Sequence, residues 1–196
     1  TAYTYEPNHY EFYKLRPAIK TLPTWFKELP TSFNTSINGI DMPTPTAKTC
    51  PAILQTYKKS IAIPCQTDVI FKRIAVEDTT LWVTPNVDAS NRVKLFGEKQ
   101  KGGYKAPHVK IDSTWLLCAS DATEFLIDDD YYSNYDKPWR AIPGVLDFKH
   151  QNTLAVNIEL KNQEEQFMLE AGTTLALMHP LTKAHIKLEH KLITKE

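Results

Sequence analysis

Between Leu154 and Lys161 the chain alternates without interruption. Leu154, Val156, Ile158 and Leu160 share one parity, and Ala155, Asn157, Glu159 and Lys161 share the other. A period of two puts the four aliphatics on one side of an extended strand, so the segment must lay that side against another layer. Comparable signals recur through the second half. His108 to Asp112 alternates, Trp115 to Ala119 is an apolar run, and Pro138-Trp139 to Phe148 becomes extended. Thr173 to Met178 follows Ala171-Gly172, and Ile186, Leu188, His190 and Leu192 alternate with Lys187, Glu189 and Lys191. Short strands punctuated by Pro and Gly predict a mainly β chain, an antiparallel β-sandwich or jelly-roll-like fold.

Helical signals are few and N-terminal. Thr49 can cap a helix with Pro51 near its first position; Ile53, Leu54 and Tyr57 then share a face, and Lys58 and Lys59 suit its C-terminal end. Ser60 to Pro64 reads as a turn and Asp68 to Ile74 as a strand. Trp25, Phe26 and Leu29, bounded by Pro23 and Pro30, predict one or two helical turns packing inward. Tyr10 to Leu15 reads as a half-buried first strand closed by Arg16-Pro17. Residues 31–48 read as loop, with a turn at Asn38-Gly39. Glu77-Asp78 reads as a turn, Thr79 to Thr84 as a strand ended by Pro85-Asn86, and residues 97–106 as an exposed basic loop. Gly102-Gly103 lacks the glycine spacing and following helix of a phosphate cradle. The expected organisation is one β-rich domain over 1–196, a strand and helix elaboration over 1–75 and a β core over 76–196.

Lys plus Arg and Asp plus Glu number 23 each, which gives no bulk attraction for nucleic acid or an anionic membrane. No apolar run approaches the ~20 residues of a membrane helix. The first residues, Thr1-Ala-Tyr-Thr-Tyr5, show no basic-then-apolar leader and read as a start after loss of Met. Cys50, Cys65 and Cys118 are an odd set without CxxC, neither a disulfide framework nor a zinc site. Cys50 and Cys65 are expected to be buried and unpaired, consistent with cytosolic synthesis.

Few residues suggest chemistry. Asp128-Asp129-Asp130 opens the densest acidic stretch, but the alternating acids, glycine and terminal Glu of a calcium loop are missing. It reads as a solvated acidic loop in which Tyr131, Tyr132 and Tyr135, with nearby Trp139, form an interface anchor. The histidines are His9, His108, His150, His179, His185 and His190; an iron triad usually shows His-x-Asp or His-x-Glu, and His108-Val-Lys-Ile-Asp112 has the wrong spacing for one strand face. His185 and Glu189 share a strand parity but would lie ~13 Å apart. No Ser-His-Asp signature or nucleophile elbow is evident. No cofactor and no metal are therefore expected.

Three segments carry a resemblance. Lys48-Thr-Cys50-Pro51-Ala, Tyr57, Ser60-Ile-Ala-Ile-Pro64-Cys65 and Asp68-Val69 form the first; Leu81-Trp82-Val-Thr-Pro-Asn86 the second; Ala171-Gly172-Thr-Thr-Leu-Ala-Leu-Met-His-Pro-Leu181 the third. In that order they resemble a family of uncharacterised proteins of tailed bacteriophages and some bacteria, the domain of unknown function DUF6065. Thr174 stands where that family frequently has Pro. The resemblance implies a viral or bacterial source and a β-rich fold, and brings no activity. Cys50, Pro51, Tyr57, Pro64, Asp68, Trp82 and Gly172 are expected as core and turn positions. The expectation is a non-enzymatic virion protein, made in the host cytoplasm, whose partners are other virion proteins or a second copy of itself. Alternatives are a host-directed binding protein, or a cupin or 2-oxoglutarate-oxygenase-like enzyme using His108, Asp112 and His179 or His190 as ligands.

Overall fold

The computed structural model describes residues 1–76, 79–85, 93–96, 108–119, 123–149, 152–161 and 165–194. The chain is mainly β, as the alternation predicts, and its strands form several antiparallel sheets. The N-terminal part contains β1 (Ala2–Thr4), α1 (Pro7–Phe12), β2 (Arg16–Pro17) and α2 (Thr24–Glu28). Next come β3 (Ser32–Ile37), β4 (Ile40–Pro45), α3 (Pro51–Lys59), β5 (Ile61–Pro64), β6 (Val69–Val76) and β7 (Thr79–Val83). Then β8 (Val93–Phe96), β9 (His108–Leu117), β10 (Glu124–Asp128), α4 (Tyr131–Asn134), β11 (Trp139–Ala141) and β12 (Gly144–Asp147). The last are β13 (Thr153–Leu160), β14 (Gln166–Leu169), β15 (Thr174–Pro180) and β16 (His190–Leu192).

One sheet has the order β11-β13-β9-β1-β16, and a second the order β12-β10-β15-β5-β2. In the first, β9 pairs with β13 along one flank; β8 (by Val93–Phe96) and β1 share the other. The parity read from the sequence holds in β13, where Leu154, Val156, Ile158 and Leu160 are all buried. They meet Val109, Ile111, Trp115 and Leu117 of β9, and Ile61 and Ile63 of the second sheet, in one core cluster. Trp115 is fully buried and donates its indole N–H to the Tyr13 carbonyl at 2.9 Å, which spares a stranded donor in that core. A third sheet, β14-β6-β7, adds Phe71, Phe167 and Trp82 to the core, and β3 and β4 pair only with each other among the described residues.

Several local expectations are overturned. Tyr10 to Leu15 is not a strand; α1 occupies Pro7–Phe12. Pro7 supplies a pre-set φ at the helix start, and the Glu6 and His9 carbonyls accept the Tyr10 and Tyr13 amides. His9 and Tyr13 then meet edge to face, a pairing that helical spacing provides and alternation cannot. Ser60 to Pro64 is not a turn: Ile61–Pro64 form β5, buried throughout. Its Ile61 and Ile63 face the main core and Ala62 the smaller core under the helices, so a continuous apolar run fits a strand covered on both sides. The stretch 31–48, expected as loop, contains a hairpin over 32–45 that turns at Asn38-Gly39, both with positive φ. Of the C-terminal alternation only His190–Leu192 is strand, parallel to β1, although Ile186 and Leu188 still pack on the core. The cap of α3 is Cys50 rather than Thr49, whose hydroxyl donates to the Thr46 carbonyl. Trp25 turns outward while Phe26 is buried. The readings at Glu77-Asp78, Asn86, residues 97–106 and His150 lie outside the described residues.

Gly172 has φ +87° in the tight turn between β14 and β15, its amide donating to the Cys65 carbonyl. An added Cβ would find only the edge of the Tyr13 ring at 3.9 Å, so the constraint is the backbone and not space. Gly172→Ala should lower unfolding free energy by ~1–2 kcal/mol in denaturant melts. Gly172→Asn should cost less than Gly172→Val; equal losses would show that crowding rather than φ is responsible.

Candidate functional site

The acidic stretch does not lie in solvent. Asp130, at the head of α4, is fully buried, and Asp128 and Asp129 are half-buried. The sequence pattern missed this because the residues that enclose Asp130 come from 70 or more positions earlier in the chain. Tyr57 on α3 donates its hydroxyl to Asp130 Oδ1, and Thr21 donates to Oδ2 at 3.3 Å. Around these groups Ala18, Leu22, Phe26, Tyr57, Ala62 and Leu177 make the smaller core. Burial raises the Asp130 carboxyl above the usual range, against its hydrogen bonds, and raises Asp129 likewise. Burial first, and Asp130 second, push the Tyr57 phenol far up, so it remains the O–H donor of the pair.

Beside this knot lies an open cleft of about 710 Å³, lined by His108, Asp128, Asp129, Asn134, Arg140 and Glu159 among others. Its groups are largely committed to one another. Arg140 and Glu159 form an ion pair across β11 and β13, and Asp129 accepts from the Ala141 amide and from Asn134 Nδ2 at 3.2 and 3.3 Å. Asn134 Oδ1 has no hydrogen-bond partner among the described residues, but it is buried and is not offered to a molecule in the cleft. Tyr131 and Tyr135 rise from the rim, 67% and 60% exposed. Trp25 packs against Tyr132 and Tyr135, and Tyr131 against Tyr132, so the four rings form a braced ridge.

The expected interface residues thus divide. Tyr131 and Tyr135 are exposed and Tyr132 is half-buried beneath them. Trp139 is buried at 1% exposure and belongs to the core, a correction that follows from its place opposite Leu160. Trp25, not anticipated there, joins the ridge. Of the resemblance motifs, Tyr57, Cys65 and Trp82 are buried, Pro51 opens α3, Pro64 ends β5, and Asp68 accepts the Ala171 amide at 2.7 Å. Cys65 is buried and free as expected, its thiol pushed up to about 11 by burial, whereas Cys50 is only half-buried.

The alternative metal ligands are not brought together. His108 faces the cleft, Asp112 pairs with Lys94 and Lys110, His179 meets Ser60, and His190 packs on Trp115. Among the described residues no three His, Cys, Asp or Glu side chains converge as a metal site. Ser60 Oγ lies 2.5 Å from His179 Nδ1, and Asp128 and Asp130 act on that ring electrostatically. The set has the composition of a nucleophilic triad without its access. Ser60 is buried and its oxygen also lies 2.6 Å from the Thr56 carbonyl, so it ends α3 instead of facing a substrate. A scan against protein-family models finds no match, and a search of curated proteins finds none.

Three measurements follow from this geometry. Tyr57→Phe leaves a buried carboxyl short of a donor and should lower stability by ~1–3 kcal/mol in denaturant melts; Tyr131→Phe should leave it unchanged. A raised folded-state pKa means that the Asp130 contribution is present near the unfolded value of ~3.9 and is lost as pH rises through the folded value. The stability of Asp130→Asn relative to the native chain should therefore rise with pH from ~4 and then level. A relative stability that falls over that window would show that the fold favours the carboxylate. In thiol labelling, exposed Cys118 should react first, Cys50 more slowly and Cys65 only on unfolding.

Proposed function

We propose that this chain is a non-enzymatic bacteriophage virion protein, a head-decoration, neck, tail or baseplate component acting through protein–protein contacts. The observation that carries this reading is the aromatic ridge of Trp25, Tyr131, Tyr132 and Tyr135. Large rings, already braced against one another and outward at the tips, lose little entropy on docking, which suits an interface anchor. The phage setting rests on the resemblance of the three sequence segments alone. The two larger sheets contribute to one core, which supports the finer fold reading of a sandwich or jelly-roll. Among the described residues no helix is long and apolar enough to cross a membrane.

Mass spectrometry of purified particles of the phage encoding the chain tests the assignment. The protein should be present in stoichiometric amount; absence from intact particles, with co-purification of a host protein, would point to a host-directed binder instead. Replacing Tyr131 and Tyr135 together by Ser should reduce incorporation by roughly tenfold or more, with an unchanged melting temperature.

A further inference from the structure

The hairpin β3–β4 offers a different surface. Its two-residue turn at Asn38-Gly39, with φ of +54° and +79°, has the signs of a type I′ turn and makes Ile37 and Ile40 the first hydrogen-bonded pair. Parity then assigns every side chain. Phe33, Thr35 and Ile37 share a face with Ile40, Met42 and Thr44, and Ser32, Asn34, Ser36, Asp41, Pro43 and Pro45 lie on the other. Phe33, Ile37, Ile40 and Met42 are 53%, 55%, 64% and 51% exposed. The base is tied to the body, with Thr46 donating to the Pro30 carbonyl and Lys48 to those of Lys27 and Leu29. A two-stranded ribbon is marginal in water; independent stability needs three or more strands with an apolar face, or packing against another element.

The edges decide what completes it. The same parity turns the backbone N–H positions of residues 41, 43 and 45 outward on β4, and two of them are prolines with no N–H to give. That edge is closed. On β3 the outward groups belong to Ser32, Asn34 and Ser36, and the strand carries neither proline nor charge, the usual guards of an exposed edge. Nothing among the described residues pairs with it. We propose that the hairpin is a dimerisation arm, in which β3 pairs antiparallel with β3 of a second copy about a two-fold axis at Thr35.

Self-pairing is what this edge suits. In that register Asn34 and Ser36 exchange backbone hydrogen bonds with Ser36 and Asn34 of the copy. Phe33 stands opposite Ile37 in the close, non-hydrogen-bonded positions, an aromatic and β-branched pair formed twice. A charge-free strand meets no like charge in its own copy, and Asp41, the one charged residue between Ser32 and Pro45, sits away on β4. The product has four strands with one continuous apolar face and a proline-closed edge at each end, so association stops at two copies.

The arm rests on the reading that the chain works through protein–protein contacts, yet its readout is the mass of the purified protein. A monomer therefore overturns the arm and leaves the particle assignment to virion content. Sedimentation of the full chain at micromolar concentration should give twice the 22.4 kDa chain mass. Asn34→Pro removes an outward N–H from the open edge without touching the hairpin's own ladder and should yield a monomer. Asp41→Pro makes the same change on the closed edge and should remain dimeric. In a chain with Cys50 and Cys118 replaced by Ser, Thr35→Cys should form an intermolecular disulfide on mild oxidation, and Ser32→Cys should not. A native chain that stays monomeric, or a dimer that survives Asn34→Pro and does not cross-link through Thr35→Cys, overturns the proposal.

Discussion

The hydrogen bond from Tyr57 to Asp130 joins two parts of the molecule that the chain separates widely. α3 lies before the second sheet's central strands, and Asp130 leaves the end of β10 within that sheet. A buried carboxyl without donors would be unfavourable by several kcal/mol, so the helices and the β10–α4 turn must meet in one geometry or lose the partners of Asp130. Thr21 adds a second donor from the segment before α2, and Ser133 reaches back to the Thr21 carbonyl at 3.2 Å. Apolar contact alone would let the helical layer slide on the sheet; the directional bonds fix where it sits.

That fixed layer sets the surface around it. The ridge rings stand on α2 and on the turn that contains α4, both adjoining the smaller core. Phe26 and Tyr132 meet edge to face at 5.0 Å, so the inward rings brace the outward ones. The cleft beside it is lined from β9, β10, β11 and β13; Arg140 and Glu159 pair within it, and Asp129 accepts from the Ala141 amide and Asn134.

Two histidines show how the same burial constrains protonation. Burial lowers His179 and His190 below the usual value, and His190 Nε2 is enclosed against Trp115 without a partner among the described residues. Their neutral forms are favoured in the fold, so their contribution is present above ~6.5 and is lost as pH falls toward the depressed folded values. Asp129 and Asp130 act in the opposite sense at lower pH, because there the folded state holds the protons more tightly. These two burial effects oppose one another with pH, whereas the exposed pair Lys187–Glu189 carries little weight.

The sequence by itself determined what local periodicity and stereochemistry can determine. The alternation at Leu154–Leu160 assigned the buried face of β13; Pro51 marked the start of α3; Asn38-Gly39 marked a reversal; and isolated cysteines marked free thiols. Each rests on neighbours within a few positions, where φ preference and side-chain parity suffice. Only the tertiary structure decided the rest. Tyr10 and Phe12 alternate like a strand, yet Pro7 and the available partners made a helix; Ile61–Pro64 has the length of a turn, yet layers on both sides made it a strand. Three consecutive aspartates have the composition of a solvated loop, and nothing beside them reveals the Tyr57 and Thr21 hydroxyls that permit Asp130 to be buried. Burial depends on which distant groups arrive, a property of the assembled layers that no window of the chain contains.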